Sequence, residues 1–131
     1  FDELYGARPL ARTGVDLVGI DPYPCKVGRD CRFARIDAAV AKAERRGIGR
    51  RQIVPVFQTF GQTCATELHV WRLPSATELE AMLRRWRRLV PSPVFDFAYT
   101  WGRQRQYACP ALADSAALRD VMRTHNLGAG P

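Results

Sequence analysis

The stretch Val15-Asp16-Leu17-Val18-Gly19-Ile20-Asp21-Pro22-Tyr23-Pro24-Cys25 constrains the fold most: an almost unbroken apolar run, stopped by an acid, two prolines and an aromatic ring. A strand covered on both faces, as in a parallel sheet, reads as such a continuous run. Pro22 has no N–H to give to a ladder, so the strand has to end close to Asp21. It therefore delivers a carboxylate and a phenol to its C-terminal edge, where α/β folds assemble their sites.

The pattern recurs. Ile53-Val54-Pro55-Val56-Phe57-Gln58-Thr59-Phe60-Gly61 and Val94-Phe95-Asp96-Phe97-Ala98-Tyr99-Thr100-Trp101-Gly102 are short β-branched or aromatic runs that end in polar or aromatic groups. Strands are expected near 15–21, 53–58 and 94–99, parallel and neighbouring in that order. Pro55 removes a ladder donor and belongs near a strand start or a bulge. Helices are expected between and after these strands. Phe33, Ile36, Val40 and Ala43 form an apolar stripe, with Gly47 placed to close it. Ser75-Ala76-Thr77-Glu78 has the form of a capping box, followed by Leu79, Met82, Leu83, Trp86 and Leu89 at helical spacing. A third helix is expected over about Ser115 to Thr124, with Leu118, Val121 and Met122 inward and Gly128 just past its end. Strand, loop and helix thus alternate three times, which is the α/β pattern. Upstream, Pro9-Leu10-Ala11-Arg12-Thr13-Gly14 reads as the last turn of a helix closed by glycine. The chain opens on Phe1, and residues 1–131 are expected to be one domain or part of one, a piece of a longer protein. Three parallel strands leave two sheet edges that call for a covering partner.

Of 20 basic residues only Lys26 and Lys42 are lysine, and the formal charge is +7. Clustered arginine at Arg45-Arg46, Arg50-Arg51 and Arg84-Arg85-Arg87-Arg88 is compatible with polyanion binding. These clusters fall on or after helices rather than at strand ends, and no nucleic-acid-binding motif accompanies them, which argues against nucleic acid as the partner. No apolar run is long enough to span a membrane. Cys25, Cys31, Cys64 and Cys109 all fall in loops that follow strands, hence on one face. Cys25 and Cys31 could close a small ring and leave Cys64 and Cys109 to join adjacent loops, although three connectivities are open and free thiols remain an alternative. An even count confined to loops points to an exported protein. No C-x-x-C or other metal set is present, and neither a metal nor a cofactor is expected.

These strand endings resemble the sixth to eighth strands of the (β/α)8-barrel glycoside hydrolases of the large retaining clan. Asp16-Leu17-Val18-Gly19-Ile20-Asp21-Pro22-Tyr23-Pro24 is similar to the strand that carries an aromatic residue to the sugar cleft. Pro55-Val56-Phe57-Gln58-Thr59-Phe60-Gly61 is similar to the strand ending in the nucleophilic glutamate, and Tyr99 and Trp101 match the aromatic end of the last strand. The resemblance covers about residues 10 to 127 and rests on order and spacing. It implies a partial barrel of three consecutive βα units, completed by the remainder of the parent barrel, with a saccharide as ligand and secretion or an extracytoplasmic location.

The departure is equally informative. Gln58 stands where the clan has its nucleophile, and an amide cannot form a glycosyl ester. The clan's acid/base glutamate belongs to a fourth strand outside the matched stretch, so an isolated piece is expected to be inert. Asp21 is the candidate acid or base, and Tyr23, Gln58, Tyr99 and Trp101 are the candidate saccharide-binding residues. Each has a plainer reading: Asp21 as a turn former before proline, Tyr23 as rim packing, Gln58 as chance, Trp101 as core. Asp96 could face either side of the sheet, Glu67 could serve as a substitute carboxylate, and His125 reads as a solvated residue near the tail. The alternatives to a hydrolase-like domain are a non-catalytic sugar-binding barrel and a basic α/β module for nucleic acid or another polyanion.

Overall fold

A computed structural model describes residues 14–128, so the expected helix end over Pro9–Thr13 lies outside the described residues. Strand β1 is Val18–Ile20, β2 is Ile53–Phe57 and β3 is Phe97–Ala98; helix α1 is Ala34–Arg45, α2 is Ala76–Leu89 and α3 is Ala116–Asn126. The strands form one parallel sheet in the order β1-β2-β3. The expected order and direction therefore hold, and the class is α/β.

The strands are shorter than expected, most of all β3, because each outer strand has a partner on one side only. Val94 and Phe95 stay outside the ladder and exposed, behind Pro91 and Pro93. Pro55 sits inside the central strand without disrupting it. It is the last position in register with β1, opposite Ile20, and one residue before Val56 meets Phe97 of β3. The donor it lacks thus falls where one ladder hands over to the next.

Amphipathic helices pack on this sheet. Ile36, Val40 and Ala43 from α1, Leu79, Met82, Leu83 and Trp86 from α2, and Leu118 and Met122 from α3 join Val18, Ile20, Ile53 and Phe57 in one core. Each Val, Leu, Ile, Phe or Met among them, taken from water, stabilises the fold by about 1.5–3 kcal/mol before its lost conformational entropy is set against it. All five residues of β2 are buried, as expected of a central strand covered on both faces. The capping box at α2 forms as read: the Glu78 amide donates to Ser75 Oγ at 3.2 Å and the Ser75 amide to Glu78 Oε2 at 2.8 Å. Gly47, at φ 79°, ends α1 in the left-handed region open to glycine.

Because the helices run back from the strand ends, the loops after all three strands gather on one rim. Two disulfides lie there, Cys25–Cys31 within the loop after β1 and Cys64–Cys109 between the loops after β2 and β3. Among the described residues no helix is long and apolar enough to cross a membrane.

Candidate functional site

The rim begins where β1 gives way to Asp21 and Pro22. Asp21 is exposed, and Tyr23, two residues on, is half-buried. The small disulfide ring that follows is fastened to β2 by Gln58. Its Oε1 accepts from the Cys25 amide at 2.8 Å, while its Nε2 donates to the carbonyls of Cys25 and Arg72, both at 2.9 Å. Gln58 therefore treats the Cys25 backbone as a neighbouring strand would. It is fully buried and both its amide protons are committed. The sequence expectation has this amide reach a ligand; in this structure it holds two loops.

Above that fastening four rings meet. Tyr23 lies edge-on to Phe60, Trp71 and Tyr99, with ring centroids 4.9, 5.6 and 5.5 Å apart. Phe60 and Tyr99 meet at 4.8 Å in a tilted arrangement. Phe60 is buried, Tyr23 and Trp71 are half-buried, and Tyr99 is exposed, so the group has a dry base and an open side. Each loop after a strand supplies at least one ring. Lys26 Nζ and the Arg35 guanidinium carbon lie over the Trp71 ring, 5.1 and 5.6 Å from its centroid, and bring positive charge to its face.

Of the residues expected here, Tyr23 and Tyr99 come together and Asp21 is beside them. Trp101 does not join. It is 64% exposed and lines a separate recess with Phe97, Leu112, Met122 and Leu127, on the outer side of β3. Tyr99 and Trp101 lie past the end of β3, where the chain turns as Thr100 Oγ1 donates to the Gly102 carbonyl at 2.8 Å, so the two rings part although they are only two residues apart. Sequence reading passed over Trp71 and Phe60. Trp71 lies four residues ahead of the Ser75 cap, and a residue just before a helix that runs back from the rim has to lie on the rim.

A second buried amide sets Trp71. Gln62 Oε1 accepts from the Val70 and Trp71 amides at 3.0 and 3.2 Å, and its Nε2 donates to the Tyr107 carbonyl at 2.9 Å. The next residue, Arg72, binds Glu78 through two nitrogens at 2.6 and 2.8 Å and donates to the Arg29 carbonyl at 3.2 Å. It thereby joins the disulfide ring to the first turn of α2. The Arg72 guanidinium, ahead of the Ser75 bonds, pulls the Glu78 carboxyl from 4.5 to about 2.

The electrostatics of the rings favour a neutral phenol. Burial first, then the Asp21 charge, pushes the Tyr23 hydroxyl far above its ordinary pKa. That hydroxyl is out of contact with water and completes no hydrogen bond of ordinary geometry, although the Asp21 carboxylate lies near enough to add to the upward push. A buried O–H without a partner is costly, so the packing of the surrounding rings has to offset that loss.

Other candidates fall elsewhere. Asp96 faces the helices, where both its oxygens meet His125 Nε2, at 3.0 and 3.2 Å. His125, expected in solvent, is instead held between this pair and the edge of Phe57, whose centroid is 5.4 Å away. Glu67 is exposed on the loop after β2. Ligand atoms of Cys25, Cys31 and Glu78 lie within 4.8 Å of one another, but both sulfurs are spent in the disulfide.

Comparison with known proteins returns no match: no family model, no curated protein and no solved structure is similar to this chain.

Proposed function

We propose that the rim binds a saccharide, and that the three βα units are part of a glycoside hydrolase-like (β/α)8 barrel. The observation that carries this reading is the group Tyr23, Phe60, Trp71 and Tyr99, which three loops bring together at the strand C-termini. Sugar rings offer apolar C–H faces to aromatic side chains and hydroxyls to groups such as the exposed Asp21 carboxylate. The partial barrel is supported by the parallel order, the two-sided burial of β2, and apolar side chains left open beyond β3. Val94, Phe95, Phe97, Trp101 and Leu127 form that open margin, which suits further barrel units better than water. Two disulfides favour an oxidising, extracytoplasmic setting.

Asp21 is the candidate acid or base. Hydrolysis needs a second carboxylate across the bond, and in a barrel that group would come from the other units, so this chain alone is expected to bind without turnover. One observation favours a non-catalytic sugar-binding barrel: the nucleophile position is held by Gln58, buried and fully engaged with backbone.

Titration with neutral oligosaccharides, read by tryptophan fluorescence and calorimetry, tests the proposal. Trp71→Ala and Tyr99→Ala should each weaken binding at least tenfold, about 1.4 kcal/mol, while Trp101→Ala should leave it intact. Unchanged binding in both rim variants, with folding preserved, would rule out this rim as the site.

A further inference from the structure

A second surface lies on the helix layer, in the groove between α1 and α2. It has a volume of about 470 Å³ and is lined by Phe33, Ala81, Arg84, Arg85, Arg87 and Arg88. None of the rim rings lines it. Its charge is lopsided. Asp37 is held by Arg85 through contacts of 2.6, 2.8 and 3.0 Å, and Glu80 reaches Arg84 only at 3.9 Å. Arg85 is thus firmly paired and Arg84 only loosely, at the outer limit of an ion pair. Among the described residues Arg88 meets no carboxylate. Past the end of α2, Arg50 Nη1 donates to the Leu89 carbonyl at 3.3 Å while its Nε pairs with Glu44 at 2.7 Å, so the unbalanced charge stays on α2.

We propose that this groove binds a linear acidic polysaccharide, one bearing carboxylate or sulfate groups along its length. Arg84 and Arg88 stand one helical turn apart, about 6 Å along the axis, and so present a repeated charge to an extended chain. Arginine forks engage planar or tetrahedral oxyanions through paired hydrogen bonds. The Asp37 clamp fixes Arg85 at the groove wall and joins α1 to α2, so the wall is built before a ligand arrives. Phe33 and Ala81 give the floor an apolar patch suited to a sugar ring rather than to a bare phosphate backbone. The two disulfides belong with an oxidising compartment, where acidic glycans rather than nucleic acids are the abundant polyanions. The groove is independent of the rim and needs none of its residues.

The test uses the full chain with heparin and with polygalacturonate, against neutral dextran and a short DNA duplex, over a series of salt concentrations. Binding of an acidic polysaccharide that weakens steeply with salt is expected, with dextran not bound in the groove. Arg84→Ala/Arg88→Ala should weaken it about tenfold or more and flatten the salt dependence, with unaltered circular dichroism and melting. Arg105→Ala/Arg123→Ala removes the same charge elsewhere and should change affinity less than threefold. Trp71→Ala should leave polyanion binding intact, which separates failure of this proposal from failure of the rim. Equal loss in the two double variants would reduce the effect to net charge and overturn the proposal. Unchanged binding in Arg84→Ala/Arg88→Ala, or preference for the duplex over both glycans, would overturn it as well.

Discussion

At the scale of single residues, buried amides and one ion pair shape the rim more than the exposed candidates do. Gln58→Glu would place a carboxylate against the carbonyl oxygens of Cys25 and Arg72, where an amide now donates to both. The expected outcome is a loss of about 2 kcal/mol or more, measured as a lower denaturation midpoint, and not a gain of hydrolysis. Gly61 is equally constrained: a Cβ there would lie 2.5 Å from the Leu73 amide nitrogen and 3.0 Å from the Arg72 carbonyl carbon. Gly61→Ala therefore has to displace backbone, and should cost about 1–3 kcal/mol in the same assay. Glu78 gives the fold an acid limb. Its carboxyl titrates near 2 when folded against 4.5 ordinarily, so its contribution is whole above pH 4.5 and disappears as pH falls towards 2. Glu78→Gln should flatten the stability profile across that window in urea titrations at stepped pH; an unaltered slope would show that the Arg72 pair does not set it. Asp21, Tyr23 and Tyr99 were legible as rim residues because each lies at or just past a strand end. The task of Gln58 was not, since its partner Cys25 is 33 residues away and only the folded loops bring them together.

At the scale of elements, local signals carried the helices. The Ser75 box, the stripe from Ile36 to Ala43 and the stripe through Leu118 and Met122 each depend on neighbours a few residues apart. Ser75→Ala should accordingly lower stability by about 1 kcal/mol, read by thermal denaturation, without moving the ends of the other helices. The strands were legible in place but not in length. How much of an apolar run enters a ladder depends on the partners beside it. β2, with two neighbours, keeps five residues in the ladder, whereas β3, with one, keeps two. Trp71 went unseen for a related reason, because a ring in a loop carries no periodicity and gains meaning only from the direction of the helix after it.

At the scale of the whole molecule, the sheet edges and the disulfides govern behaviour. The Cys64–Cys109 bridge closes 45 residues of chain and Cys25–Cys31 closes 6. In the chain-entropy description these loops are worth about 4 and about 2 kcal/mol, so Cys64→Ala/Cys109→Ala should lower the denaturation midpoint more than Cys25→Ala/Cys31→Ala. The loop-by-loop placement of the cysteines made both bridges conceivable from sequence. Choosing between pairings needed the parallel order that sets the loops after β2 and β3 side by side. That longer bridge also turns residues 64–109 into a closed covalent circuit, which changes what cutting the chain means. Arg103 and Arg105 lie in the exposed stretch 103–107, inside the circuit. A trypsin nick after either one opens the circuit without releasing a piece. The nicked protein should migrate as a single species in a denaturing gel run without reductant, and separate into two fragments only once thiol is added.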